Sequence, residues 1–299
     1  MAGRFAPSPT SDLHLGNLRT ALVAWLMARS TGRRFVMRVE DLDAQRVAAA
    51  GDAERRQLRD LAELGLDWDG PVVRQSDRLH LYERAAAELP TYECFCTRRE
   101  IAEAASAPHE DGFRPYGGTC LRLSASERAS RRAVRAPALR VAAGGASGSG
   151  RDVWAGLVEG EVDDFVIRRG DGAWAYNLAV VVDDLDQGVD QVVRGADLLT
   201  SVPRQAWLTE QLGGTVASYG HVPLVLNRGG QRLAKRDKAV TLAELKGLGW
   251  TPTRVLTLLG HSLGLNEVDE PVTTATLLDR WPGRPPSDPW VYPPPHQTG

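Results

Sequence analysis

No long uninterrupted apolar run occurs in this chain. Its 42% hydrophobic residues are interspersed with 25% charged ones over 299 positions, which excludes a membrane-spanning helix of about 20 residues. No secretory leader is expected either, since the amino terminus enters a strand-like segment at once and not a charged, apolar and small-residue succession. A cytoplasmic location is expected. There is no excess of one charge: 36 Lys and Arg against 38 Asp and Glu leave a net charge of -2. Any nucleic-acid binding must therefore come from local basic patches and not from a whole-protein field. Cysteine is scarce and odd in number, three residues between Cys94 and Cys120, which points away from a disulfide framework. What remains is the composition of a soluble globular protein long enough for two or more packed units.

The first informative stretch runs from Gly3 to Asp43. Gly3-Arg4-Phe5 starts a strand, and Pro7 and Pro9 forbid regular structure just beyond it, so the chain leaves the sheet there and exposes its backbone and Ser8 at the edge. Leu15, Leu18, Leu22, Trp25 and Leu26 recur at helical spacing, with Gly32 as the stop. Phe35 to Asp41 returns as a strand. His14 and Gly16 fall at the amino end of the helix, where unpaired backbone donors and the dipole favour a phosphate and Gly16 permits close approach. Arg4-Phe5-Ala6-Pro7-Ser8-Pro9-Thr10 followed by His14-Leu15-Gly16-Asn17 resembles the opening of class I glutamyl-type aminoacyl-tRNA synthetases, whose His-Ile-Gly-His element binds ATP. Asn17 replaces the second histidine, a departure that glutamyl members tolerate. The resemblance implies an α/β fold, a class I Rossmann-type parallel sheet with an inserted zinc-containing subdomain and a C-terminal helical extension. It also implies ATP-binding roles for His14, Gly16 and Asn17.

Cys94-Phe95-Cys96 places two thiolates within reach of one ion, and Cys120 supplies a third after a glycine-containing loop. Zinc takes four ligands. By residue chemistry His109 is the nominee for the fourth, because imidazole ligates zinc far more often than phenolate does. The resemblance implies another choice. A Cys-x-Cys followed by Tyr-x-x-x-Cys resembles the zinc site of the glutamyl-queuosine tRNA(Asp) synthetases within the glutamyl group, and Tyr116-Gly117-Gly118-Thr119-Cys120 matches it. One structural Zn²⁺ on Cys94, Cys96, Tyr116 and Cys120 is expected.

The second informative stretch begins with a strand at Asp163 to Arg169 and a turn at Asp171-Gly172. The apolar run Leu178 to Val182 suits either a buried sheet segment or a buried helix. Gln191 to Asp197 is a strand that puts the Arg194 guanidinium at the carboxyl edge of the sheet, where ligands of open α/β sheets bind. An amino-acid substrate needs an acid for its ammonium and planar bidentate donors for its carboxylates, and Glu40, Arg4 and Arg194 supply them. Arg4, Ala6, Ser8, Glu40, Tyr176 and Arg194 each resemble, in local context, a position of the family's glutamate pocket. Further on, Arg232-Leu233-Ala234-Lys235-Arg236 resembles the Lys-Met-Ser-Lys-Ser element, with only Lys235 intact. The resemblance implies a catalytic role for Lys235 on the departing pyrophosphate.

Other stretches are structural by pattern. Helices are expected from Asp52 to Gly65 and from Gln75 through Ala86, with Trp68 and Tyr82 as core aromatics. Arg128, Arg131, Arg132 and Arg135 lie on a short helical stretch, either tracking phosphates or forming a solvated face. Ala142 to Gly150 has the composition of a flexible surface loop. One helical pattern continues from Thr241 through Leu259, and Pro282 to Pro295 is too proline-rich for regular structure. The expected organisation is 1–89 and 161–240 as two halves of a catalytic domain, 90–160 as the zinc-containing insertion, and 241–299 as a helical extension.

Full glutamyl-tRNA synthetases resemble the chain over almost its whole length and carry a further anticodon-binding part. The ending at Gly299 and the Tyr-x-x-x-Cys spacing together lead to the glutamyl-queuosine expectation. Such a ligase activates L-glutamate with ATP, Mg²⁺ bridging phosphate oxygens, without needing tRNA. It then transfers glutamate to the queuosine base at the wobble position of tRNA(Asp), whose anticodon loop enters where other synthetases take the acceptor end. A monomer is expected. The alternatives are a truncated glutamyl-tRNA synthetase charging the 3′ end of tRNA, a catalytically weakened RNA-binding paralogue, and a glutaminyl-type ligase.

Overall fold

The computed structural model describes residues 1–97, 99–101, 116–233 and 240–293. The first crossover is β1 (Ala2–Phe5), α1 (Leu15–Ser30) and β2 (Arg34–Val39), followed by α2 (Ala44–Ala50), α3 (Ala53–Glu63), β3 (Val73–Arg74) and α4 (Leu79–Glu88). Next come β4 (Thr91–Cys94), α5 (Ala125–Arg132), β5 (Ala138–Val141), β6 (Ala146–Asp152), β7 (Gly156–Val162) and β8 (Val166–Arg168). The chain then returns through α6 (Tyr176–Asp186), β9 (Val189–Gly195), α7 (Val202–Gln211), β10 (Ser218–Val222) and β11 (Val225–Leu226). It finishes with α8 (Leu242–Gly247), α9 (Pro252–His261), α10 (Thr274–Asp279) and β12 (Trp290–Val291).

Seven strands form one sheet in the order β3-β2-β1-β9-β10-β6-β7. Every pairing in it is parallel except that of β7 with β6. The chain turns to opposite sides from the centre, β1 pairing with β2 on one flank and with β9 on the other. That reversal opens a crevice at the strands' carboxyl ends. All of β1 and all but the first residue of β2 are buried, as expected of parallel strands covered on both faces. The apolar stripe of α1, including Leu15, Leu18, Leu22, Trp25 and Leu26, enters the main core. A separate antiparallel sheet β4-β5-β8 carries Cys94 at its margin. Among the described residues no helix is long and apolar enough to cross a membrane.

Several expectations are resolved or corrected. The Leu178–Val182 run is helical, and it is apolar throughout because that part of α6 is buried on every side. Ala142 to Gly150 is not a flexible loop: from Ala146 it is β6, paired with β7 over its whole length and laid against β10. Its glycines serve packing. A Cβ on Gly148 would lie 2.0 Å from the Pro203 carbonyl oxygen, and one on Gly150 would lie 2.6 Å from Val202 Cγ1. Close approach of α7 thus demands the composition that also typifies linkers. Gly148→Ala is expected to lower unfolding stability by roughly 3 kcal/mol, measured by urea denaturation. The pattern after Thr241 is two helices and not one, broken at Gly249, where φ is 80°, with Pro252 opening α9. The proline-rich tail is also more ordered than expected, since β12 pairs in parallel with β11 and Tyr292 is buried.

Candidate active site

The loop that leaves β1 is pinned from two sides. The Pro7 carbonyl accepts the Glu40 N–H at 2.9 Å, and Gln57 Nε2 donates to the carbonyls of Ser8 at 3.0 Å and Ser11 at 2.6 Å. Gln57 was not foreseen. Its signal was a glutamine on the apolar face of α3, one turn before Leu61.

His14 is the N-cap of α1. Its Nδ1 accepts the N–H groups of Gly16 at 3.0 Å and Asn17 at 3.3 Å, while Asn17 Oδ1 accepts the His14 N–H at 3.2 Å. This corrects the expectation of unpaired donors there, because the imidazole caps them. A Cβ on Gly16 would sit 2.9 Å from His14 Cε1, so glycine leaves room for the capping ring. With Nδ1 as acceptor the ring proton resides on Nε2. Burial, then the nearby Arg232, lowers the His14 pKa to about 4, so the ring is neutral at physiological pH. Between pH 6.5 and about 4 the unfolded chain binds a proton at position 14 that the folded chain does not, and stability falls as pH is lowered through that window. His14→Asn keeps a capping side chain and is expected to flatten this part of the stability–pH curve.

Arg4 and Arg194 are buried side chains at the carboxyl ends of adjacent strands. Arg4 Nη1 donates to the Val193 carbonyl at 2.9 Å, and its Nε lies 3.6 Å from Asp184. Arg194 donates to His221 Nε2 at 3.0 Å, Gln205 Oε1 at 2.6 Å and the Leu198 carbonyl at 3.1 Å. Glu40, one residue beyond β2, accepts from Arg38 at 3.3 Å. Burial raises its carboxyl pKa, with Arg38 and Arg4 opposing the rise. One cavity of about 450 Å³ is lined by Arg4, Ala6, Ser8, Glu40, Tyr176 and Arg194 together with His14, Gly16 and Asn17. Asp197 and Arg232 line the same cavity and pair at 2.6 Å. Lys235 lies outside the described residues.

The cysteines also converge. The sulfurs of Cys94, Cys96 and Cys120 all lie within 4.8 Å of one another, and those of Cys96 and Cys120 are 3.5 Å apart. The Tyr116 hydroxyl is 3.5 Å from both Cys94 Sγ and Cys96 Sγ and accepts the Cys120 N–H at 2.9 Å. A tetrahedral ion with metal–sulfur bonds of about 2.3 Å needs sulfurs roughly 3.7 Å apart, so these donors suit a metal ion. His109 lies outside the described residues. The Arg140 guanidinium stacks 3.7 Å above the Tyr116 ring and donates to the Asp164 carbonyl, a support that sequence reasoning missed. On and just after α5, Arg132 pairs with Glu93 and Arg135 donates to the Phe95 carbonyl, tying that segment to the cysteine-bearing strand.

Residues 1–272 match the family model described as tRNA synthetases class I (E and Q), catalytic domain. The chain belongs to this family. It is 59% identical over 270 residues to the glutamyl-Q tRNA(Asp) synthetase of Cutibacterium acnes, covering 90% of this chain and 78% of that one. It is 57% identical over 296 residues to the protein of the same name from Nocardia farcinica, covering 97% and 92%. A glutamate tRNA ligase from Elizabethkingia meningosepticum shares the fold, with a TM-score of 0.81 at 23% identity over 98% of this chain and 67% of that one.

Behind the cleft of this class I synthetase lies a buried charge cluster that sequence reasoning did not find. Arg38 is fully buried and donates to Asp184 at 2.7 Å and Gln187 at 2.9 Å, with its Nε 3.6 Å from Asp183. Asp183 accepts in turn from Gln75, Arg78 and Tyr82. Asp184 thus stands between Arg4 and Arg38, and Arg38 between Asp184 and Glu40. The only signal for it was the acidic pair ending the apolar run of α6, which reads equally as a solvated helix end.

Proposed function

We propose that the chain is a glutamyl-queuosine tRNA(Asp) synthetase, which activates L-glutamate with ATP and transfers it to the queuosine base at the wobble position of tRNA(Asp). The observation that carries this reading is the convergence of Arg4, Glu40 and Arg194 beside the His14 cap in one cleft. Glu40 takes the substrate ammonium, and the two guanidinium groups take its two carboxylates. A glutamate carboxylate oxygen attacks the α-phosphorus of ATP, the bond to the bridging oxygen breaks, and pyrophosphate leaves with that electron pair. No protein nucleophile is needed, so catalysis is positioning and charge stabilisation. His14 offers Nε2–H to a phosphate oxygen, Arg232 and Lys235 offset charge on the departing pyrophosphate, and Mg²⁺ enters with ATP. Zinc held by Cys94, Cys96, Cys120 and Tyr116 has a structural role. The reading includes a cytoplasmic monomer with a catalytic domain in two halves, 1–89 and 161–240. The insertion 90–160 lies between them, and 241–299 follows as the helical extension.

Incubation with labelled glutamate and ATP is expected to label queuosine-containing tRNA(Asp) and to leave the same tRNA unlabelled when it lacks queuosine. Label on the 3′ end of tRNA(Glu) would overturn the reading. For the metal, purified chain is expected to carry about one zinc per molecule, and Cys120→Ser to lose most of it with a lower unfolding midpoint, measured by metal analysis and thermal denaturation.

A further inference from the structure

Arg194, His221 and Asp152 lie on β9, β10 and β6, three neighbouring strands of the main sheet. Arg194 and His221 are register partners, and Asp152 pairs with Tyr219 two residues before His221. All three side chains are buried. Asp152 Oδ1 accepts the backbone N–H groups of Trp154 at 2.8 Å and Ala155 at 2.7 Å, which leaves Oδ2 for His221 Nδ1 at 2.6 Å. His221 Nε2 receives the Nε–H of Arg194 at 3.0 Å.

The donor on Arg194 sets the protons along this line. Arg194 Nε is always a donor, so His221 Nε2 must accept. The ring proton then sits on Nδ1 and is given to the Asp152 carboxylate. A protonated imidazole would turn an N–H against the N–H of Arg194. Burial lowers the His221 pKa, with Arg194 adding to the effect and Asp152 and the Leu198 carbonyl opposing it, and the Nε–H of Arg194 aimed at Nε2 favours the neutral ring.

The remaining supports of Arg194 are neutral as well. Gln205 donates its Nε2–H to Asn177 at 3.0 Å, which turns Oε1 toward the guanidinium, and the third acceptor is the Leu198 carbonyl. The Tyr219 ring stacks on His221 and lies 5.3 Å from the guanidinium carbon. Among the described residues no carboxylate is within ion-pair distance of Arg194, whereas Arg4 faces Asp184 and Arg38 faces three acids. Three of the five Arg194 N–H groups are used, leaving one on each terminal nitrogen, the pair that grips a carboxylate.

We propose that His221 and Asp152 are positioning residues for amino-acid selection: Asp152 fixes the Nδ1–H tautomer of His221, and His221 orients Arg194 without neutralising its charge. That charge then discriminates a carboxylate from a carboxamide. This rests on the glutamate reading above.

Asp152→Asn is nearly isosteric and tests the relay. Its carbonyl takes over the Trp154 and Ala155 N–H groups, so its NH₂ faces His221 Nδ1, moves the ring proton to Nε2 and sets two donors against each other, as in other Asp–His pairs. In ATP–pyrophosphate exchange with the full chain, the variant is expected to raise the glutamate KM roughly tenfold or more and to narrow the preference for glutamate over glutamine by a similar factor. The ATP KM should stay within about twofold. A merely structural role would instead lower the folding midpoint and raise both KM values together, and that result, or an unchanged glutamate KM in a folded variant, would overturn the proposal. ¹⁵N-histidine spectra supply the second readout: Nδ1–H at His221 in the parent and Nε2–H in the variant uphold the relay, and Nε2–H in the parent overturns it. No exchange by the parent with any amino acid would sink the glutamate reading itself, a failure distinguishable because the tautomer is read without activity.

Discussion

Replacing Arg194 with alanine is expected to raise the glutamate KM for pyrophosphate exchange at least a hundredfold, corresponding to a loss of about 3 kcal/mol or more of substrate binding. The side chain is buried beside the cleft, carries no carboxylate partner among the described residues, and keeps two N–H groups free for substrate. The ATP KM should change little, because the elements proposed to face the phosphates are the His14 cap and Arg232, which line another part of the cavity. Arg194→Lys separates charge from geometry. It retains the positive charge without the planar fork, so it should recover part of the loss. Steady-state exchange with each substrate varied in turn checks both variants.

Replacing Arg38 with alanine should have the largest effect on stability. Its guanidinium is fully buried and faces Asp183, Asp184 and Glu40. Removing one member of a buried ion cluster leaves charge without compensation, at a cost of about 3–5 kcal/mol. Asp183 retains Gln75, Arg78 and Tyr82, so the strain falls mainly on Asp184 and Glu40. In the variant Glu40, whose pKa burial already raises, loses the Arg38 charge that opposes the rise, so its folded pKa moves further above the unfolded one. Stability is then lost as pH rises from the unfolded pKa of Glu40 through its folded one, and the deficit should shrink toward acidic pH. Arg38→Met combined with Asp184→Asn should recover part of the loss. Urea titrations at two pH values measure all of this.

How far the site was legible follows from how local its determinants are. The proline loop, the His14 turn and the ends of β2 and β9 are each set by a few adjacent residues, so Arg4, Ser8, Glu40 and Arg194 were nominated from strand ends together with the family resemblance. The cap formed by His14 and Asn17 was readable too, as a polar pair three residues apart before an apolar stripe, but it was taken for free amides. The partners behind the cleft were not readable. Asp152 meets His221 only because β6 docks beside β10, and Arg38 meets Asp184 only because α6 is laid against the sheet beside β9. Both depend on the order in which distant segments are laid together. The glycines of β6 misled for a related reason: chain flexibility and close helix packing call for the same residue, and the sequence alone does not say which applies.

The central claim is that a dicarboxylic amino acid and ATP react in the cleft of Arg4, Glu40, Arg194 and His14 without help from RNA. ATP–pyrophosphate exchange by the purified chain tests it most directly. Exchange that depends on L-glutamate, proceeds with no tRNA present and is not supported by glutamine is the predicted result. Exchange that requires added tRNA, that glutamine supports equally well, or that is missing with glutamate would contradict it.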